Sequence, residues 1–325
     1  MGAIIKAVVL LVIGFVLLIK GADFFVDGSS SIAKQLRIPG LIIGMTIVAM
    51  GTSLPELAVS VTASLQNSNS LAISNVVGSN IFNLMVVLGA SALLSSLYVS
   101  KDVLRRDFPF SILCAVLLLV LGWIGMQAGR IDGVIFLAIF VVFLFMMVHA
   151  ALKARSNGTE TPEQLAEETQ EEEEIRVLPT WRALLYIAGG IVAIKFGGDW
   201  VVDGAVVIAQ KIGISQTLIG LTIVACGTSL PELVTSIVAA RKNELEMAVG
   251  NVVGSNIFNI LLILGVAAVI SPLTFTMENI IDILVLIAFS VVVYLFSRSG
   301  NRLGRKEGVS MLVMYAVYLV YICMR

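Results

Sequence analysis

The chain has little charge, one histidine and three cysteines. Asp, Glu, Lys and Arg make up 13% of its 325 residues, against about a quarter in soluble domains. An ordinary water-soluble domain, which needs a charged exterior, is thereby excluded. The single histidine, His149, and the cysteines Cys114, Cys226 and Cys323 show no metal-ligand spacing. A transition-metal centre, which usually wants imidazole or thiolate, is therefore not expected. The cysteines lie in apolar stretches and read as small buried hydrophobes, and His149 reads as structural. The formal net charge of −1 names no partner. No nucleic acid, no resident cofactor and no obligate protein partner are expected.

What is present is long apolar sequence. Hydrophobic residues make up 58% of the chain. Charge-free runs recur at 38–55, 71–100, 108–129, 133–152, 212–231, 247–277, 283–297 and 309–324, and two further runs near 3–19 and 183–194 bring the candidate spans to ten. A spanning helix needs about 20 mostly apolar residues, so the expected class is an all-α polytopic membrane protein. The first run lacks a basic start and a small-residue cleavage site, and reads as a retained span. With ten spans and an outside amino terminus, sixteen of the 21 Lys and Arg fall on the inside. This positive-inside bias places both termini outside the cytoplasm of a cell (inner) membrane. The stretch 154–180 breaks the pattern with eight glutamates between Glu160 and Glu174, and reads as a solvated cytoplasmic linker. The expected division is a first repeat over 1–153, the acidic linker over 154–180 and a second repeat over 181–325.

Two phrases occur twice. Gly51-Thr52-Ser53-Leu54-Pro55-Glu56 returns as Gly227-Thr228-Ser229-Leu230-Pro231-Glu232. Gly78-Ser79-Asn80-Ile81-Phe82-Asn83 returns as Gly254-Ser255-Asn256-Ile257-Phe258-Asn259. Both copies are displaced by 176 residues, and Asp23/Asp199, Asp27/Asp203, Gly44/Gly220 and Thr46/Thr222 match at the same offset. Five spans per half is an odd number, so the second half must enter the membrane from the opposite side. The expected architecture is ten transmembrane helices as two inverted-topology five-helix repeats, the plan of many secondary transporters.

Glu56 and Glu232 stand deep in apolar sequence, and intramembrane carboxylates mark ion paths or proton relays. Thr52 and Ser53, four and three residues before Glu56, would share its helix face. Gly51 and Pro55 weaken that helix, and broken backbone at membrane depth is tolerated where it lines a cavity. Carbonyls freed in the turn before the proline, such as those of Ala49 and Ala225, then become cation ligands. Ser79 and Asn83 share a face in the next helix, while Asn80 points elsewhere and reads as an interhelical hydrogen bonder. Gly250-x-x-x-Gly254 and its counterpart Ser74-x-x-x-Gly78 allow close helix contact. Asp23 and Asp27 read as charges at a membrane interface, with a cation path or a sliding pivot as the alternative.

The donors Glu56, Glu232, Asn83, Asn259, Thr52, Ser53, Ser79, Thr228, Ser229 and Ser255 are all hard oxygens. Calcium takes six to eight such oxygens in flexible geometry, and two carboxylates balance one Ca²⁺; sodium uses the same oxygens, and Mg²⁺, which dehydrates reluctantly, fits less well. Two carboxylates cannot both stay charged and empty in lipid, so another cation or a proton must replace the departing ion. Exchange is favoured over uniport, with Na⁺ or H⁺ as counter-ion on these grounds. An intramembrane hydrolase would not need both phrases in both halves, and a channel would favour weak multi-site binding.

At these phrases the sequence resembles the calcium/cation antiporter superfamily, in its prokaryotic sodium/calcium exchanger branch. The resemblance covers both halves. It implies ten helices, alternating access, and Na⁺ influx driving Ca²⁺ efflux through Glu56 and Glu232. It implies that the first and sixth helices slide across the other eight. Potassium-cotransporting relatives tend to carry Asp where this chain has Asn259, a departure that points away from K⁺ dependence. Proton-coupled members tend to show G-N-A-x-E in place of G-T-S-L-P-E, which leaves H⁺/Ca²⁺ exchange as the second reading.

Overall fold

The computed structural model describes residues 2–66, 69–157, 177–213 and 225–324. Most of the acidic linker lies outside the described residues, as do Gly220 and Thr222. The first half comprises α1 (Gly2–Leu36), α2 (Gly40–Thr52), α3 (Leu54–Leu65), α4 (Asn69–Leu94), β1 (Leu97–Tyr98), α5 (Phe108–Trp123), β2 (Gln127–Ala128) and α6 (Arg130–Asn157). The second comprises α7 (Thr180–Lys211), α8 (Ala225–Gly227), α9 (Leu230–Arg241), α10 (Leu245–Ile270), β3 (Leu273–Thr274), α11 (Met277–Arg298), β4 (Arg302–Leu303) and α12 (Arg305–Met324). Among the described residues, 6 helices are long and apolar enough to cross a membrane, or 7 if the bent pair α2–α3 is one crossing. This measure falls short of ten for local reasons. The regular part of α5 has only 16 residues, and 214–224, within a further apolar run, lies outside the described residues.

The burial pattern is that of a molecule in apolar solvent. In α4 and α10, 78% of the apolar window is buried, whereas the peripheral helices α1, α6, α11 and α12 bury between 17% and 39%. Large apolar side chains such as Val141 and Phe145 face outward, and most of the buried polar residues lie on the central helices. Lipid, unlike water, imposes no penalty on that outer surface. Cys114 is buried and Cys226 half-buried beside the Tyr315 hydroxyl, but Cys323 is exposed on α12, so the expectation of burial fails there. His149 stacks on Phe145.

The 176-residue offset recurs in the elements themselves. It relates α3 to α9, α4 to α10, β1 to β3, and the π-helical turn Asn83–Val87 to Asn259–Ile263. The two short ribbons connect the halves reciprocally. Leu97 and Tyr98 pair antiparallel with Leu303 and Arg302, and Ala128 and Gln127 pair with Leu273 and Thr274. Each ribbon is the other with the halves exchanged, as a pseudo-twofold axis requires.

Helices α1 and α7 cross through a stripe of small residues seven apart. Ala7, Gly14, Gly21 and Gly28 meet Gly204, Gly197, Gly190 and Ala183 in antiparallel order. A Cβ on Gly14 would stand 2.8 Å from the Gly197 carbonyl oxygen, and one on Gly197 would stand 2.6 Å from the Leu18 amide nitrogen. No side chain fits there, so the long helices pack backbone to backbone. The Gly250-x-x-x-Gly254 expectation holds in the same way. A Cβ on Gly250 would lie 2.6 Å from the Leu41 carbonyl oxygen, and one on Gly254 would lie 2.7 Å from Met45 Cα. Gly78 differs: nothing among the described residues comes within 4 Å of its added Cβ.

Candidate functional site

Each repeated carboxylate sits in the first turn of a helix that restarts after a break. Helix α2 ends at Thr52, Ser53 leaves helical geometry (φ −82°, ψ 7°), and α3 begins at Leu54 with Pro55 in its first turn. The two segments meet at a bend of 48°. In the second half, Ser229 (φ −94°, ψ 6°) precedes α9, which opens with Leu230, Pro231 and Glu232. Proline suits a first turn because its missing N–H would be unsatisfied there anyway. The carboxylates at the third helical position meet the positive end of the helix dipole. The broken helix expected from Gly51 and Pro55 is present.

One detail of that expectation changes. The Ala49 carbonyl is not freed, because it accepts the Ser53 backbone N–H at 3.1 Å. Proline removes the donor four residues after Gly51, not after Ala49. A lone pair of Ala49 remains, with the Thr52 hydroxyl 3.3 Å away. Ala225 is the first residue of α8.

The spacing Ser-x-x-Glu matches a capping box, yet neither serine caps its own helix. Each reaches across to the other half. Ser53 donates to Glu232 Oε1 at 2.9 Å, and Ser229 donates to Glu56 Oε1 at 3.1 Å. Ser255 lies 3.5 Å from the same oxygen of Glu232. The expected shared face of Ser53 and Glu56 is thus replaced by a crosswise arrangement, because the break at Ser53 redirects its side chain.

The carboxamides are exchanged too. Asn80 Nδ2 donates to the Asn256 carbonyl at 3.1 Å, and Asn256 Nδ2 to the Asn80 carbonyl at 3.3 Å. Asn80 is the interhelical hydrogen bonder that its position predicts. Asn259 donates to Asn80 Oδ1 at 2.9 Å, and Asn83 reaches Asn256 Oδ1 at 3.4 Å. Both amide groups are spent on these bonds, so their oxygens are left over. Asn83 and Asn259 also open the two π-helical turns, a distortion frequent at functional sites.

The result is a cluster of buried oxygens without donors. Glu56 Oε2, Glu232 Oε2, Asn83 Oδ1 and Asn259 Oδ1 have no hydrogen-bond partner, and the hydroxyls of Ser79 and Thr228 have none either. Glu56 and Glu232 have no solvent exposure. Among the described residues no basic side chain is paired with either, and no group of three or more His, Cys, Asp or Glu forms a metal cluster. A buried carboxylate oxygen with no donor is costly unless a cation or a proton meets it.

Two residue pairs escaped the motif reading. Asn251 donates to Ser236 at 2.9 Å, lies 3.5 Å from the Glu232 carbonyl and accepts from the Thr52 hydroxyl at 3.1 Å. Its counterpart Asn75 donates to Ser60 at 3.1 Å. Both pairs match at the 176-residue offset, which was the signal available in the sequence. Asp23 and Asp27 are not in the cluster. Lys242 contacts Asp27 at 2.7 Å and Asp23 at 3.5 Å, while Asp199 is held by Lys195 at 2.7 Å.

Comparison with known proteins bears on this geometry. The family model described as sodium/calcium exchanger protein matches residues 6–149 and 182–324. Inner membrane protein YrbG of Escherichia coli is 38% identical over 96% of the chain and 95% of its own length. Sodium/calcium exchanger MaX1 of Methanosarcina acetivorans is 34% identical over 96% and 97%. A solved structure of the sodium-calcium exchanger NCX_Mj, soaked with Na⁺ and Sr²⁺, superposes with a TM-score of 0.82 at 32% identity, covering 98% of each chain.

Proposed function

We propose a transport reaction from one premise: this chain belongs to the sodium/calcium exchanger family. It is a multi-pass membrane antiporter that moves Ca²⁺ against Na⁺ by alternating access, normally extruding Ca²⁺. The ligands are Glu56, Glu232, Asn83, Asn259, Thr52, Ser53, Ser79, Thr228, Ser229 and Ser255, with the carbonyls of Ala49 and Ala225. The observation that carries this reading is the set of four buried acceptor oxygens, two carboxylate and two carboxamide, that no donor meets. Only oxygen faces the ion, as hard cations demand.

The reciprocal bonds between halves support ten crossings in two inverted repeats, 1–153 and 181–325, joined by a cytoplasmic linker with both termini outside. A site on the pseudo-twofold axis then meets the same ligands from either side of the membrane. The crosswise serines occupy one oxygen of each glutamate, fixing its rotamer and aiming the other oxygen at the cation. The α1–α7 pair, interlocked through its glycine stripe, is suited to move as one body across the central helices.

Proteoliposomes loaded with Na⁺ should take up ⁴⁵Ca²⁺ when diluted into Na⁺-free medium at constant pH. Uptake driven only by a pH jump would replace Na⁺ with H⁺ as the counter-ion, which the two carboxylates could equally bind. Absence of Ca²⁺ flux under both gradients would refute the cation assignment.

A further inference from the structure

A half-open cavity of about 320 Å³ lies between the start of the helical run 101–123 and the end of α11, lined by Lys101, Leu104, Arg105, Tyr294, Arg298 and Asn301. The β1–β4 ribbon holds the two ends together, and Val99 N–H donates to the Asn301 carbonyl at 2.9 Å. Three of the six lining residues are cations. None of the three is in an ion pair among the described residues. No carboxylate lines the cavity; of the two close by in the chain, Asp107 is taken by Arg106 at 2.6 Å and Asp102, next to Lys101, is exposed. Lys101 also begins the helical run 101–123, whose amino-terminal N–H groups add positive potential.

The fold contains its own control. The turn after α5 has Gly125 (φ 83°) and Met126 (φ 53°), and the turn after α11 repeats it with Gly300 (φ 81°) and Asn301 (φ 54°). By that register Leu119 and Trp123 correspond to Tyr294 and Arg298. At the 176-residue offset Met277 and Ile281 correspond to Lys101 and Arg105. A second cavity, of about 480 Å³ and lined by Leu119, Val120, Trp123, Ile124 and Leu284, includes Leu119 and Trp123 of these equivalents but neither Met277 nor Ile281. The positions equivalent to Lys101, Arg105, Tyr294 and Arg298 are thus all uncharged. Helix packing therefore does not require the cations; they belong to the positive-inside set, and what sets them apart is that three of them converge on one cavity.

We propose that the cavity lined by Lys101, Arg105 and Arg298 binds the phosphate of an anionic phospholipid headgroup. Arginine and lysine with a hydroxyl and an amide suit a phosphate's oxygens, and basic pockets between membrane helices take such headgroups. The exposed apolar flanks of α5 and α11, including Leu113, Val291 and Leu295, provide a surface for acyl chains. The leaflet is the cytoplasmic one, which rests on the topology proposed above; the binding itself depends on neither topology nor transported ion.

The test is lipid retention by the delipidated full chain in detergent, read by native mass spectrometry. The probes are phosphatidylglycerol and phosphatidylcholine with identical acyl chains. Each cation near an anionic headgroup contributes roughly five-fold in affinity. The wild type should prefer phosphatidylglycerol, and Lys101→Gln/Arg105→Gln/Arg298→Gln should lower that preference by at least about ten-fold. Arg298→Gln alone should lower it by about five-fold, which keeps the test decisive if the triple variant melts early. Trp123→Gln, at the equivalent place in the other half, should leave it unchanged. Equal retention of the two lipids, or a preference that survives all three substitutions, overturns the proposal. Inorganic phosphate at millimolar concentration that displaces neither lipid supports the lipid source; displacement of phosphatidylglycerol by it would reassign the cavity to soluble phosphate.

Discussion

The two halves of the molecule are alike at the centre and unlike at the ends of their helices. At the centre the main contacts between the halves are mirrored: Ser53 to Glu232 and Ser229 to Glu56, Asn80 to Asn256 and Asn256 to Asn80. At the periphery the mirror fails. Lys242 ties α1 to the turn after α9 through Asp27 and Asp23, and Ser30 adds a hydrogen bond to Glu244 on the same turn. The residue equivalent to Lys242 is Gln66, and Asp199, the mate of Asp23, pairs within its own helix. A cation that visits one site from two sides needs the same ligands each way, whereas the two faces meet different media.

The largest effect should come from the carboxylates. Glu56→Gln and Glu232→Gln each remove a full charge from a buried cluster, and each should lower Ca²⁺ uptake by at least about a hundred-fold. Because the serine–glutamate pairs are mirrored, the two losses should be alike. A variant that retains near-normal flux while its mate is inactive would break the comparison.

Packing comes next. Gly197→Ala forces a Cβ into the α1 backbone, and should lower stability by about 1–3 kcal/mol. Gly189→Ala on the same helix has nothing within 4 Å of its added Cβ, and should leave the melting temperature unchanged or slightly raised. Equal melting temperatures in the two variants would mean that the glycine stripe does not hold α1 to α7.

A smaller difference should separate two asparagines. Asn251→Ala loses bonds to Ser236 and Thr52 in a fully buried place, about 1–3 kcal/mol, and should raise the Ca²⁺ concentration needed for half-maximal flux. Asn75→Ala loses the bond to Ser60, in a partly buried setting, and should shift it less. The reverse order in ⁴⁵Ca²⁺ titrations would place the functional weight on the first half.

The smallest effect belongs to Lys242. Its side chain is 26% exposed and that of Asp27 34% exposed, so the pair is worth at most about 1 kcal/mol and weakens with salt. Lys242→Gln should change the ratio of apparent Ca²⁺ affinities at the two membrane faces by no more than about five-fold, most at low ionic strength. A ratio that does not move would show that this tether has no part in the preference between faces.

Much of this was legible because both the broken helix and the repeat are local or periodic signals. Proline and glycine flanking Thr52 and Ser53 predict an interruption wherever they occur, and Glu56 in apolar sequence is conspicuous by its cost. Asn80 separated from Ser79 and Asn83 by helical phase alone. Harder to read was Ala49, where the proline register had to be counted to the residue. The heptad of Gly14, Gly21 and Gly28 is present as spacing, but its partner stripe runs antiparallel far along the chain, from Ala183 to Gly204, and nothing local joins the two.

By itself the sequence determined the membrane class, the duplication, the breaks before Glu56 and Glu232, and the supply of hard oxygen donors. These follow from composition and from steric rules that act within a few residues. Only the tertiary structure decided that each serine serves the other half's glutamate, that the asparagine amide nitrogens are turned to interhelical bonds while their oxygens remain, and that three cations share one cavity whose lining holds no carboxylate. Those outcomes depend on how closely backbones far apart in the chain approach, and that distance is set by packing of the whole molecule.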